Sequence, residues 1–153
     1  MTKIKFKINN VEEEKQIIEM TRKEVDFFRE NKIKITWPQN STAEEEYDKE
    51  KYQKELRAIK KRWKEESDFL KKVSTHFNKE VGDLTVKISA YGPMGFYDSK
   101  RGVITVNFNN KKPVKTIKHE IIHTMLALSG KEPDDHKEKE RRVNKILSKI
   151  EDG

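Results

Sequence analysis

The segment His119-Glu120-Ile121-Ile122-His123 constrains this chain more than any other stretch, because it puts polar, metal-competent side chains inside its most apolar region. On a helix, residues four apart project from one face about one turn apart, so the two imidazoles stand together. That spacing can present two nitrogens to one metal ion at about 2.0–2.1 Å. Glu120, between them, is placed to hold and deprotonate a water on the metal. A helix of this kind must be buried on most sides, yet leave one face open for the chemistry. Two histidines are also an incomplete set, since a catalytic zinc usually has three protein ligands and one open position. The chain has no cysteine, so thiolate sites, zinc ribbons and disulfides are excluded and the missing ligand must be a histidine or a carboxylate.

The flanks supply the elements that such a helix needs. Leu84, Val86 and Ile88 alternate with Thr85, Lys87 and Ser89, the pattern of a strand. Phe96-Tyr97-Asp98 and Val103–Phe108, separated by Ser99-Lys100-Arg101-Gly102, read as a β-hairpin. Asn109-Asn110 offers a cap for the helix that follows, Pro113 suits its first turn, and Gly130 a stop after Ser129. A last helix begins near Pro133-Asp134-Asp135 and carries Val143, Ile146, Leu147 and Ile150.

The N-terminal half has a different character. Residues 3–8 alternate lysine with apolar residues as an edge strand does. Val11, Ile18 and Val25, with Ile17, Met20, Thr21 and Phe28 beside them, predict a helix over 11–31. Residues 32–40, with Trp37-Pro38, predict an extended connection. Thr42 and Glu45 form a capping-box pair. After them Tyr47, Tyr52, Leu56, Ile59, Trp63, Leu70, Val73 and Phe77 make one long apolar stripe to about Lys79, on one helix or on two with a bend near Ser67. The expected fold class is α+β. Residues 1–80 form a mainly helical region with a long amphipathic helix, and 81–153 a small unit of a few antiparallel strands, the HExxH helix and a C-terminal helix, together one compact unit.

Only 33% of the residues are hydrophobic while 40% are charged, so the core must be economical. The formal net charge of +7 permits contact with nucleic acid without requiring it. No segment has signal-peptide or membrane-spanning character, and the expectation is a cytoplasmic protein that does not enter membranes.

Two residues of the last helix are candidates for the third ligand. His136 lies thirteen residues after His123, past the Gly130 turn, and Glu140 lies one turn further along the same face, with Asn144 four beyond it. Arg101 to Ile150 resembles the SprT-like zinc metallopeptidases: a short strand ending in Asn107, then HEIIH followed by Met125, Leu126 and Leu128, then a third histidine and a helix. That resemblance implies Zn2+ held by His119, His123 and His136, with Glu120 as general base, in a peptidase acting on nucleic-acid-associated proteins. Lys137 and Glu140 stand where that family has glycine and an aromatic residue. Glu140-Arg141-Arg142-Val143-Asn144 is also similar to the gluzincin pattern, which implies Glu140 as the ligand instead. Either resemblance implies a substrate extended along the strand before the active helix, expected at Val103–Phe108. Tyr91, Tyr97 and His76 are candidates for stabilising an oxyanion.

Three functions follow as expectations. The first is a zinc endopeptidase acting on a protein or peptide substrate, with Glu120 as catalytic base. The second is a non-catalytic nucleic-acid- or protein-binding module built on the Lys/Arg-rich stretch from Lys49 to Lys72, with Tyr52 and Trp63 interleaved. The third is a latent peptidase whose first eighty residues cover the cleft.

Overall fold

The computed structural model describes residues 3–39 and 42–152. Asn40, the end of the expected extended connection, lies outside the described residues. The chain runs β1 (Ile4–Ile8), α1 (Val11–Lys23), α2 (Val25–Glu30), β2 (Ile35–Thr36), α3 (Ala43–Glu46), α4 (Lys49–Trp63), a 3-10 turn (Lys64–Glu66) and α5 (Phe69–Phe77). It continues with β3 (Leu84–Ser89), β4 (Gly92–Pro93), β5 (Gly95–Asp98), β6 (Val103–Asn107), α6 (Pro113–Leu128) and α7 (His136–Asp152). The class is α+β, as expected.

Four strands form one sheet in the order β1-β3-β6-β5, and β2 pairs with β4 beside it. The expectation of antiparallel strands is corrected. β1 runs parallel to β3 and β3 parallel to β6, and only the β5–β6 hairpin and the short β2–β4 pair are antiparallel. A parallel pair needs a long crossover, and the helices between Val11 and Phe77 supply one. The hairpin has a second consequence. β6 is paired on both sides, so the free edge next to α6 belongs to β5, not to Val103–Phe108.

Local signals set the helix boundaries. Asn10 caps α1 by accepting from the Glu13 backbone while Glu13 accepts from the Asn10 backbone. The helix expected over 11–31 is divided at Glu24; of its expected face, α1 buries Ile17 and Thr21, with Glu14 beside them, and α2 buries Phe28, while Val11, Ile18, Met20 and Val25 are half-buried. The long stripe bends where expected, with the 3-10 turn and Ser67 between α4 and α5. Phe69, absent from the expected stripe, is among its buried members.

Ile59, Phe69 and Val73 from the first eighty residues share one apolar cluster with Val86, Ile104, Ile117, Ile121 and Val143 from the rest. Residue 80 is therefore a change of composition and not a boundary between cores. Among the described residues no helix is long and apolar enough to cross a membrane.

Candidate metal centre

α6 is buried almost continuously from Ile117 to Leu126, which fixes its roll against the sheet. Pro113 opens the helix, and Lys112, not Asn109 or Asn110, is its N-cap residue. Asn110 instead ties the first turn of α6 to the strand layer, donating to Thr116 Oγ1 at 2.7 Å and to the Met94 carbonyl at 3.2 Å. This roll turns His119, Glu120 and His123 toward a cleft of about 1070 Å3 between α6, β5, α7 and the α1–α2 region.

The two imidazoles meet as their spacing predicts, with Nε2 atoms 3.2 Å apart. Glu140 closes the group. One carboxylate oxygen lies 2.8 Å from His119 Nε2 and the other 2.9 Å from His123 Nε2. Donor atoms of the three residues lie within 4.8 Å of one another.

His136 does not join them: of the two candidates for the third position, the structure brings Glu140 to the imidazoles. His136, Glu140, Val143, Leu147 and Ile150 lie on one stripe of α7, and Val143, Leu147 and Ile150 are buried. His136 sits one turn, about 5.4 Å, further out along the helix. There its ring meets Phe27 edge-on, with centroids 5.2 Å apart.

The donor set fits a metal ion. Two nitrogens about 2.05 Å from one tetrahedral ion lie about 3.3 Å apart, close to the 3.2 Å observed here. Two imidazole nitrogens and a carboxylate oxygen are also the N/O donor set that divalent transition-metal ions take.

Without metal, the charges adjust to this crowding. Burial opposes ionisation of Glu140, but its bonds to His119 and His123 outweigh that and hold its carboxyl well below the usual range. Burial likewise works against a charged His119, yet Glu140 and Glu120 raise its pKa. Glu120 is 7% exposed, and burial pushes its carboxyl up to about 7 against the pull of His123 and His119. Among the described residues no hydrogen-bond donor holds its carboxylate, so this side chain is free to exchange a proton.

β5 covers the other side of the site. The Tyr97 ring stacks on His123, with centroids 4.9 Å apart and planes 14° from parallel. Its hydroxyl donates to Glu132, which Lys139 approaches at 3.3 Å. His123 Nδ1 is buried with no hydrogen-bond partner among the described residues, so stacking takes the orienting role that an acceptor usually plays for a ligating histidine. The sequence offered Tyr97 only as one of three oxyanion candidates. Of the others, Tyr91 donates to Glu46 at 2.8 Å in a separate cluster, and His76 is exposed beside Phe77 at the end of α5.

Gly95 was not singled out from the sequence, yet it sets the spacing between β5 and α6. A Cβ there would lie 2.3 Å from Thr116 Cγ2. Comparison with protein-family models, curated proteins and solved structures found no match.

Proposed function

We propose that the chain is a zinc-dependent endopeptidase in which His119, His123 and Glu140 hold the ion and Glu120 is the general base. The convergence of the three donors at the end of an open cleft carries this reading. The ligand set is the one the gluzincin resemblance implies, and Glu140 takes the place that the SprT-like resemblance gives to His136.

A zinc ion, when bound, supplies the Lewis acidity that polarises a carbonyl and acidifies water towards neutrality. Glu120 is suited to the rest of the proton traffic. A buried carboxyl beside the metal donors, with no hydrogen-bond donor among the described residues holding it, can take a proton at its Oε and return it to a leaving amine. The free edge of β5 offers backbone donors and acceptors for an extended peptide to add as a further strand.

Purified protein should hold one zinc per chain and cleave an internally quenched peptide. Glu120→Gln should keep the metal and lose at least about 10²-fold in turnover. Protein without stoichiometric zinc, or a Glu120→Gln variant as active as the parent, sinks the proposal.

The exposed Lys60-Lys61-Arg62 run of α4 and the net charge of +7 favour recruitment to nucleic acid as an additional property. Tyr52 is buried against Glu14 and Trp63 is half-buried beside Phe69, so such binding would rest on phosphate contacts rather than stacking. Salt-dependent binding that survives metal removal is its test. Latency cannot be tested by deleting residues 1–80, because that removes β1, α4 and α5 from the shared sheet and core.

A further inference from the structure

The cleft has an apolar wall that the metal chemistry does not use. Met20 from α1, Phe27 and Phe28 from α2, and Ile33 just beyond line the same cavity as His119, His123 and Glu140. Phe27 is 39% exposed, one of two exposed large hydrophobic residues among those described.

The wall is built by a specific chain reversal. α2 ends with Lys32 in the left-handed region at φ 55. The Lys32 amide bonds the Arg29 carbonyl at 3.2 Å and the Ile33 amide bonds the Phe28 carbonyl at 2.8 Å. This is the Schellman pattern, in which the residue after the left-handed one packs on the residue five before it. Asn31 adds a side-chain bond to the Phe27 carbonyl at 2.9 Å. Phe28 and Ile33 are thus fixed as a pair, with Phe27 projecting beside them into the cleft. A lysine in the left-handed conformation costs free energy, so the reversal is held by these bonds and not by local preference.

The wall also lies at the right distance. Phe27 touches His136, whose ring centroid is 5.2 Å away, and His136 precedes Glu140 by one turn, about 5.4 Å. An extended peptide advances about 3.3 Å per residue, so the wall lies within about three residues of a bond positioned at the metal donors.

We infer that Met20, Phe27, Phe28 and Ile33 form the pocket for a large apolar side chain of the peptide substrate, so that the first third of the chain sets specificity. The identity of the ligand as a peptide rests on the peptidase reading. Burial of one apolar side chain in such a pocket gives discrimination of about 10- to 200-fold.

The test uses zinc-loaded Glu120→Gln protein and fluorescein-labelled pentapeptides that differ only at the central residue: Phe, Leu, Ala or Asp. Anisotropy titrations should show the Phe and Leu peptides binding at least about tenfold tighter than Ala or Asp. Adding Phe27→Ala should collapse that ratio to about twofold or less, and Phe27→Leu should restore most of it. The exposure of Phe27 lets these variants fold. An unchanged ratio in Phe27→Ala overturns the inference, as does a preference for Asp or a variant whose only change is in its own association state. Wild-type cleavage separates the two levels. Hydrolysis without side-chain preference removes the pocket and leaves the peptidase, whereas Phe27-dependent binding without any hydrolysis removes the peptidase and leaves the pocket.

Discussion

Replacing Glu140 and His136 in turn separates the two ligand sets that the sequence allows. Glu140 presents an oxygen to each imidazole, at 2.8 and 2.9 Å, whereas the His136 ring packs edge-on against Phe27. Four-ligand zinc sites bind with about 10–16 kcal/mol, or about 3 kcal/mol per protein ligand. Glu140→Ala should therefore weaken zinc by about two decades in Kd, and it also leaves His119 and His123 without their counter-charge. Glu140→Gln keeps the shape and one oxygen but loses the charge, and should fall between Glu140→Ala and the parent. His136→Ala should change zinc affinity less than about threefold, since it removes no donor. Competition with a chromophoric chelator at pH 7.5 measures all three, with far-UV circular dichroism as the control for folding. Loss of zinc in His136→Ala, with zinc retained in Glu140→Ala, would refute the ligand set.

Glu120 should leave a signature in stability as well as in turnover. Its folded pKa of about 7 lies above the ordinary 4.5, so between those values the folded state holds a proton that the unfolded chain releases. Stability of the metal-free protein should fall by about 3 kcal/mol from this group as pH rises through that window. Urea titrations of chelator-treated protein at pH 5 and 7.5 should show this fall flattened in Glu120→Gln; equal slopes would count against a buried neutral carboxyl. Tyr97→Leu removes the stacked ring and should cost about 10- to 100-fold in zinc affinity, while Tyr97→Phe should retain it. An equal loss in both would shift the role from the ring to the hydroxyl. Gly95→Ala puts a methyl 2.3 Å from Thr116 Cγ2 and should lower stability by about 1–3 kcal/mol as β5 moves off α6. Peptide turnover should drop further than zinc content, which atomic absorption checks.

HEIIH was legible because its information is local: a four-residue spacing on a helix places both imidazoles whatever surrounds them. The third ligand was not. His136 and Glu140 share the stripe that continues through Val143, Leu147 and Ile150, so periodicity accepts both. The choice depends on how far α7 slides along α6, a tertiary quantity. The same distinction runs through the fold. The hairpin over Ser99–Gly102 and the bend near Ser67 are written in nearby residues, as is the Asn10–Glu13 capping box. The parallel pairing of β1 with β3 joins residues about eighty apart, such as Ile4 and Leu84, and alternation carries no strand direction. The non-glycine reversal at Lys32 is invisible to turn signals, which look for glycine or asparagine at that conformation.

Glu14 explains how a chain with so little apolar material holds its N-terminal wall against the cleft. A carboxylate in the buried stripe of α1 looks like an interruption of the pattern, yet it is 1% exposed. It accepts from Asn9 at 2.9 Å, Ser89 at 2.7 Å, the Ala90 amide at 2.8 Å and the Tyr52 hydroxyl at 2.5 Å. Those donors come from the β1–α1 junction, the end of β3 and α4, so one side chain ties α1 to the sheet and to the long helix. Thr21, one turn after Ile17, is completely buried where Gly92 passes closely enough that a Cβ would meet Ile17 and Thr21. Polar bonds and a glycine contact thus do at α1 what aliphatic packing does around α6. A satisfied buried network is strongly directional, and that directionality sets the angle at which α1 hands the chain to α2 and brings Phe27 to the cleft.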